Sequence, residues 1–448
     1  VVDGYTLTLA SLLILGGALG DRCGRRRVCL IGLIGFGLAL CACGLAPSIG
    51  WLVGLRALQG VAGALMVPES LALIRAVHTE PEERGRAIGA WSGWSGIAAV
   101  IGPLLGGWLV DTFSWRWAFF VGVPLIAVTV WLFLRYVPES RGETGAGGID
   151  WLGATLITLG LGGVAYGLIE GPVIGWGAPT VLLGLVGGAA ALVLFPLVES
   201  WVAEPMVPLA LFRSRNFSGA NLTTLAVYAA LQGSNFLLVL YIQSVMGYSA
   251  LQAGLMLAPI SLLLLVLSAR FGRLAGSRGP RLFMTAGPLV AGVGLALLAR
   301  LHPDASIWTG VLPAVGVFGL GLAGTVAPLT DTVMSSVPEE RSSVAAAFNN
   351  MVSRVAALLA VAGLGAMVSL GFSAALEEEL AALSLSPAVA ERLREAAQDP
   401  AASVDETELP SEAVEAFEAA YTAGFRRAIG TGAALAGIGG VVAFLTIR

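Results

Sequence analysis

Long apolar runs, broken by short charged or glycine-rich stretches, set the rhythm of this 448-residue chain. A bilayer's hydrocarbon core, ~30 Å thick, needs about 20 residues of apolar helix to cross it. At that length the pattern predicts helical spans near 2–20, 28–46, 51–74, 86–110, 117–136, 151–170, 179–198, 217–244, 251–270, 282–300, 307–334, 343–370 and 421–447, thirteen in all. The breaks between spans carry most of the charge, so they decide the topology.

The first break reads Gly17-Ala-Leu-Gly-Asp-Arg-Cys-Gly-Arg-Arg-Arg27. Asp21 and four arginines between two apolar runs belong in a tight turn in water, and Gly17 and Gly24 permit the close backbone approach such a turn needs. Arginine in short loops stays cytoplasmic. With the first span running inward, sixteen arginines fall in inner turns, from Arg22 to Arg341, against Arg116 and Arg300 in the short outer loops. The odd span count then leaves Val1 outside and Arg448 inside.

A second stretch, Gly272-Arg-Leu-Ala-Gly-Ser-Arg-Gly-Pro-Arg281, echoes the first. Gly272, Gly279 and Arg281 stand where Gly17, Gly24 and Arg26 stand, and Gly276 replaces Asp21. The expected organisation is therefore all-α: a helical bundle over 1–136, a cytoplasmic linker over 137–150, two inserted helices over 151–198, and a second bundle over 199–448. Within the last lies an acidic segment, 371–420, which the topology places outside. There Leu380, Leu383, Leu385, Val389 and Leu393 suggest short amphipathic helices that act as a cap or spacer.

Composition narrows the class. With 56% hydrophobic and 12% charged residues and a mean hydropathy of +0.84, this is a polytopic membrane protein, not a soluble domain. All 25 basic residues are arginine, so no phosphate-binding Gly-rich loop with its lysine exists, and any energy for work would come from an ion gradient. His78 and His302 sit in loops on opposite sides, which leaves no histidine for a catalytic cluster inside the membrane. Cys23, Cys29, Cys41 and Cys43 lack metal-ligand spacing and are expected to be inert. The expected partners are a small-molecule substrate and the lipid bilayer, with no nucleic acid and no cofactor, in a monomer.

Charge inside a span costs ~2.5–3.5 kcal/mol on insertion scales, so such residues face a cavity or a partner. Arg56 in Arg56-Ala-Leu-Gln59-Gly lies within a span and either faces inward or snorkels out past Trp51. Asp3 lies near the outer end of the first span. Glu69, thirteen residues after Arg56, is ~20 Å further along the axis and cannot pair with it; it is a proton carrier or a structural acid. Asn350 and Arg354 lie one turn apart, and Arg354, deep in its span, requires a partner. Tyr228, Gln232 and Asn235 form a polar stripe that lines a cavity or bonds a neighbouring helix. Ala98, Gly102 and Gly106 recur every fourth residue, with Pro103 and Gly107 beside them, and are expected to allow close helix packing.

Gly17, Asp21, Arg22, Gly24, Arg25 and Arg26 match the loop signature of major facilitator superfamily transporters. Six helices, two inserted and six more resemble the fourteen-helix drug:proton antiporters of that superfamily. Leu168-Ile-Glu-Gly-Pro172, Trp115-Arg-Trp117 and the stretch from Glu204 to Phe217 are further matches. The resemblance implies one helix ahead of Val1, a location in the inner membrane of a bacterium, and proton-coupled export of lipophilic or cationic compounds by alternating access. It implies a proton-coupling role for Arg56 and raises the weight of Asp3. It identifies Gly102-Pro-Leu-Leu-Gly-Gly107 with the antiporter motif of exporters, Ala98 replacing its preferred glycine. It also implies that Asp21 latches the inner gate against the helix beginning near Ser342 and Ser343, where unpaired N–H groups favour a carboxylate. Export of an endogenous metabolite or a self-made antibiotic, or import on the same fold, are the alternatives.

Overall fold

The computed structural model describes residues 2–77, 80–141, 150–202, 205, 209–337, 342–383, 386–396 and 409–448. All regular structure there is helical: α1 (Val2–Cys23), α2 (Arg25–Gly44), α3 (Ile49–Val77), α4 (Pro81–Thr112), α5 (Trp117–Phe120), α6 (Gly122–Tyr136), α7 (Trp151–Ile174), α8 (Pro179–Leu182), α9 (Gly188–Glu199), α10 (Arg215–Ser244), α11 (Ala250–Arg278), α12 (Pro280–Leu298), α13 (Leu312–Ser335), α14 (Ser342–Ala382), α15 (Pro387–Ala396) and α16 (Ser411–Thr446).

Eleven helices among the described residues are long and apolar enough to cross a bilayer. Within α1, Gly4–Leu13 and Leu15–Cys23 meet at a 53° bend and add a twelfth if the two halves cross as one span. α4 covers the remaining expected span. Helices are what these runs must form, because a backbone in hydrocarbon has to satisfy its own N–H and C=O groups. Large apolar side chains such as Ile31, Leu38, Leu125, Leu183 and Val186 are more than 60% exposed, as lipid-facing positions are and as those of a soluble monomer rarely are.

Single glycines turn the chain between consecutive helices at both copies of the repeated stretch. Gly24, φ +107°, separates α1 from α2, and Gly279, φ +88°, separates α11 from α12. Side chains other than glycine avoid these conformations. The parallel extends to the helices two steps on: a Cβ on Gly17 would meet Pro68 of α3 at 3.7 Å, and one on Gly272 would meet Ala327 of α13 at 3.3 Å.

The chain divides into two compact units, one of residues 1–163, 187–218 and 333–355, the other of 164–186, 219–332 and 356–448. In the first, α3 lies between α1 and α2, and α2 also packs on α6. Leu9, Leu13 and Ala64 form the seam between α1 and α3, and the Thr8 hydroxyl donates to the Ala57 carbonyl across it at 2.7 Å. In the second, α12 lies along α16. Its core holds Tyr241 stacked on Phe425 at 4.2 Å, with Phe372, Phe417 and Tyr421 around them.

The acidic segment is more helical than its composition suggests. α14 runs on to Ala382 and α16 starts at Ser411, so among the described residues only α15 matches the short amphipathic helices expected. Leu393 of α15 is fully buried, while Arg394 donates to both Glu377 oxygens at 2.7 and 3.2 Å. Alanine, leucine and glutamate are good helix formers, and nothing in the sequence stops the preceding span at the membrane surface.

Candidate functional site

The charged turn is a sealed structure within the first unit. Gly24 leaves the first N–H groups of α2 without helical partners, and the chain beyond α6 supplies them. The Ser140 carbonyl accepts from the Arg25 amide at 2.9 Å, and the Glu139 carboxylate accepts from the Arg26 amide at 3.0 Å. Arg26 returns the favour by donating from its guanidinium to the Leu134 carbonyl near the end of α6, at 2.9 Å. Each helix end is thereby capped by the other's side chain, the carboxylate on the positive end and the guanidinium on the negative one. Glu139 also stands where a Cβ of Gly24 would be, its Cδ 2.9 Å away, so that glycine is required for space as well as for φ.

Asp21 is exposed and accepts from Arg25 at 2.8 Å, one turn along the chain. Among the described residues it makes no bond to α14. That helix does begin at Ser342, but the side chains of 342–344 lie outside the described residues. Arg22 is exposed. Deeper, Gly16 and Gly20 meet α3: a Cβ on Gly16 would lie 2.8 Å from the Ala64 carbonyl carbon, and one on Gly20 would collide with the Glu69 carboxyl. Glu69 is 1% exposed and its Oε2 is buried without a hydrogen-bond partner. A buried carboxyl packed on Gly20, one residue from Asp21, is a protonatable group beside the charged turn.

Arg56 faces inward. Its guanidinium carbon is 4.6 Å from the centre of the Tyr5 ring of α1 and 5.9 Å from that of Phe119, and Nη1 donates to the Gln59 amide oxygen at 2.7 Å. Gln59 is almost fully buried, and Arg56 Nε is buried without a partner. No ion pair joins Arg56 to an acid among the described residues. Two cation–π contacts of ~0.5–2 kcal/mol each offset much of what placing the charge in a span costs. The side chain of Asp3 lies outside the described residues.

Two expectations need correction. Arg354 is exposed rather than enclosed, and no hydrogen bond or ion pair to it exists among the described residues; Asn350, one turn earlier, is exposed with it. Among the described residues the small-residue stripe of α4 has no close helix neighbour at Gly102 or Gly106. Ala98, Gly102 and Pro103 are exposed, Gly106 is half-buried, Gly107 is buried, and a Cβ on Gly102 or Gly106 would meet nothing within 4 Å. Small residues permit close approach; they do not supply the neighbour. On α10, Gln232 is exposed, Tyr228 and Asn235 are half-buried, and Asn235 Oδ1 is buried without a partner.

Glu139 is the participant that sequence reasoning missed. The sequence places it in the expected linker over 137–150; the signal is its place, an acid three residues past the end of α6.

Known proteins resemble this chain over most of its length. A family model described as Major Facilitator Superfamily matches residues 1–361. The multidrug resistance protein Stp of Mycobacterium tuberculosis is 36% identical over 380 residues, 85% of this chain and 70% of that protein. A puromycin resistance protein of Streptomyces alboniger is 37% identical over 84% of this chain and 75% of its own. The tetracenomycin C resistance and export protein of Streptomyces glaucescens is 33% identical over 82% and 68%. Among solved structures, a bacterial homologue of the human lysosomal transporter Spinster, inward-facing and unoccupied, matches with a TM-score of 0.64 at 16% identity, covering 99% of this chain and 94% of its own.

Proposed function

The chain belongs to the major facilitator superfamily, and from that premise we propose that it exports small lipophilic or cationic compounds from a bacterial cell in exchange for protons, by alternating access. It would act in the inner membrane as a monomer, with Arg448 on the cytoplasmic side, as the arginine-rich inner turns require. The observation that carries export is the similarity of most of the chain to proteins named for resistance and export. The Gly102–Gly107 motif supports the same direction.

Proton coupling is supported by Glu69. It is a buried carboxyl with an unsatisfied oxygen, pressed on Gly20 one residue from Asp21, so gaining or losing a proton there changes the charge directly under the turn. No cofactor is needed beyond the gradient itself. That single-antibiotic resistance proteins are among the relatives favours a narrower second reading, export of one self-made antibiotic.

The test is uptake of a panel of dyes and antibiotics into inverted vesicles holding the full-length protein. Accumulation that requires an inside-acid pH gradient, and collapses with a protonophore, is the expected result. Accumulation unaffected by the gradient would remove proton coupling, and none for any compound would remove the substrate class.

A further inference from the structure

The stretch from Glu204 to Phe217 has no part in the function proposed above, and neither have the two inserted helices that it follows. The inserted pair is firm where α7 starts and α9 ends. A Cβ on Gly160 of α7 would come within 2.8 Å of Leu192 of α9, and one on Gly153 within 2.7 Å of Glu199, the last residue of α9. The Asp150 carboxylate accepts from the Gly153 amide at 2.8 Å and so caps the start of α7. Before α10 the chain makes a short 3-10 turn, Leu209–Arg213, in which Leu211 is buried. Two serines brace this corner. The Ser214 hydroxyl accepts from the Phe217 amide at 3.3 Å, and the Ser218 hydroxyl donates to the Phe212 carbonyl at 3.0 Å.

The corner closes on α14. The Phe212 ring stands edge-on to Phe348 of α14, centroids 5.3 Å apart at 89°, and to Phe217 at 5.6 Å and 76°. Phe217 and Phe348 lie 5.7 Å apart and complete a triangle of rings. Both are buried, whereas Phe212, which the turn supplies, is 40% exposed. The three rings, all of α9 and the start of α7 belong to the first compact unit, and α14 begins there and continues in the second after Val355. Edge-on rings attract through their quadrupoles, so they fix an angle as well as a distance. Phe348 is six residues from the start of α14, ~9 Å along its axis, so this contact sets where that end of the helix lies. We propose that Phe212 is a positioning residue for transport: the turn that follows the inserted pair grips the start of α14 through Phe348, and that end moves only when the grip rearranges. This rests on the alternating-access export reading and gives the inserted helices a part in it.

The test joins hydrogen exchange of the full-length protein in nanodiscs to transport of ethidium, a lipophilic cation, in inverted vesicles. In Phe212→Ala the amides of 345–355 should exchange about three- to tenfold faster, with those of α12 unchanged. The maximal transport rate should change by about threefold or more with KM within about twofold, since the substrate is not touched. Phe212→Tyr keeps the ring, with its hydroxyl able to reach water, and should restore both. Phe348→Leu should reproduce the effect, and adding Phe212→Ala to it should change little more, because the two rings act as a pair. Phe212→Leu, which keeps apolar bulk without the ring, carries the same comparisons if Phe212→Ala does not fold. Unchanged exchange at 345–355 would overturn the grip. Faster exchange with the maximal rate and KM both unchanged would leave Phe212 a packing residue, and additive losses in the double variant would separate the two rings; either overturns the proposal. No transport by the wild type sinks the export reading and this role with it, whereas transport that none of the variants alters sinks this role alone.

Discussion

Replacing Glu139 with alanine should loosen the inner turn without unfolding the protein. The carboxylate accepts from the amides of Arg26 at 3.0 Å and Ser140 at 3.1 Å. Losing a side-chain cap at a helix start costs ~0.5–2 kcal/mol, and hydrogen bonds to a charged group lie at the upper end of the usual range. The side chain is 32% exposed, which trims that, and the contact to Arg27, 3.9 Å long with the arginine 71% exposed, adds almost nothing. A local loss of about 1–2 kcal/mol follows, a factor of roughly 5–30 in the opening equilibrium. Hydrogen exchange in the full-length protein reads it directly. The amides at the start of α2 should exchange 5- to 30-fold faster in Glu139→Ala, and the exposed thiol of Cys23 should react faster with a maleimide. Glu139→Gln keeps an acceptor of the same shape and should lie between the two. Unchanged exchange at the start of α2 in Glu139→Ala would refute the reciprocal capping of α2 and α6.

Neighbouring glycines should behave differently for geometric reasons. Gly16→Ala would drive a Cβ into the α3 backbone and should strongly reduce folded protein, whereas Gly17→Ala meets Pro68 at an ordinary 3.7 Å and should be tolerated; thermal stability of the purified variants separates them. Gly24→Ala combines a forbidden φ of +107° with the Glu139 carboxyl at 2.9 Å and should cost ~1–3 kcal/mol, detected as early unfolding. Asp21→Asn loses an exposed ion pair worth under about 1 kcal/mol, so it should insert normally yet transport poorly; full transport by a well-expressed variant would remove the gate role. Gly20→Ala displaces the Glu69 carboxyl and should shift the pH profile of transport more than it lowers stability, and an unshifted profile would separate Glu69 from coupling.

Much of this protein was legible in one dimension, because a bilayer reads residues one by one. Twenty-residue apolar runs must be helices, and the run lengths declared them; the glycines at 24 and 279 stood out in the repeated stretch, and the structure shows both turning the chain at positive φ. Partnership was not legible. Glu139 reaches Arg26 across 113 positions, Arg56 meets Tyr5 rather than water at the membrane edge, and Arg354 proves exposed where its depth demanded a companion. The α4 stripe shows the same limit, since a row of small residues states how near a helix is able to come and not which one does. Periodicity and transfer energy act on each segment alone, so they survive in sequence. Caps, cation–π contacts and orphaned carboxyls belong to pairs of segments, and only packing in three dimensions chooses the pairs.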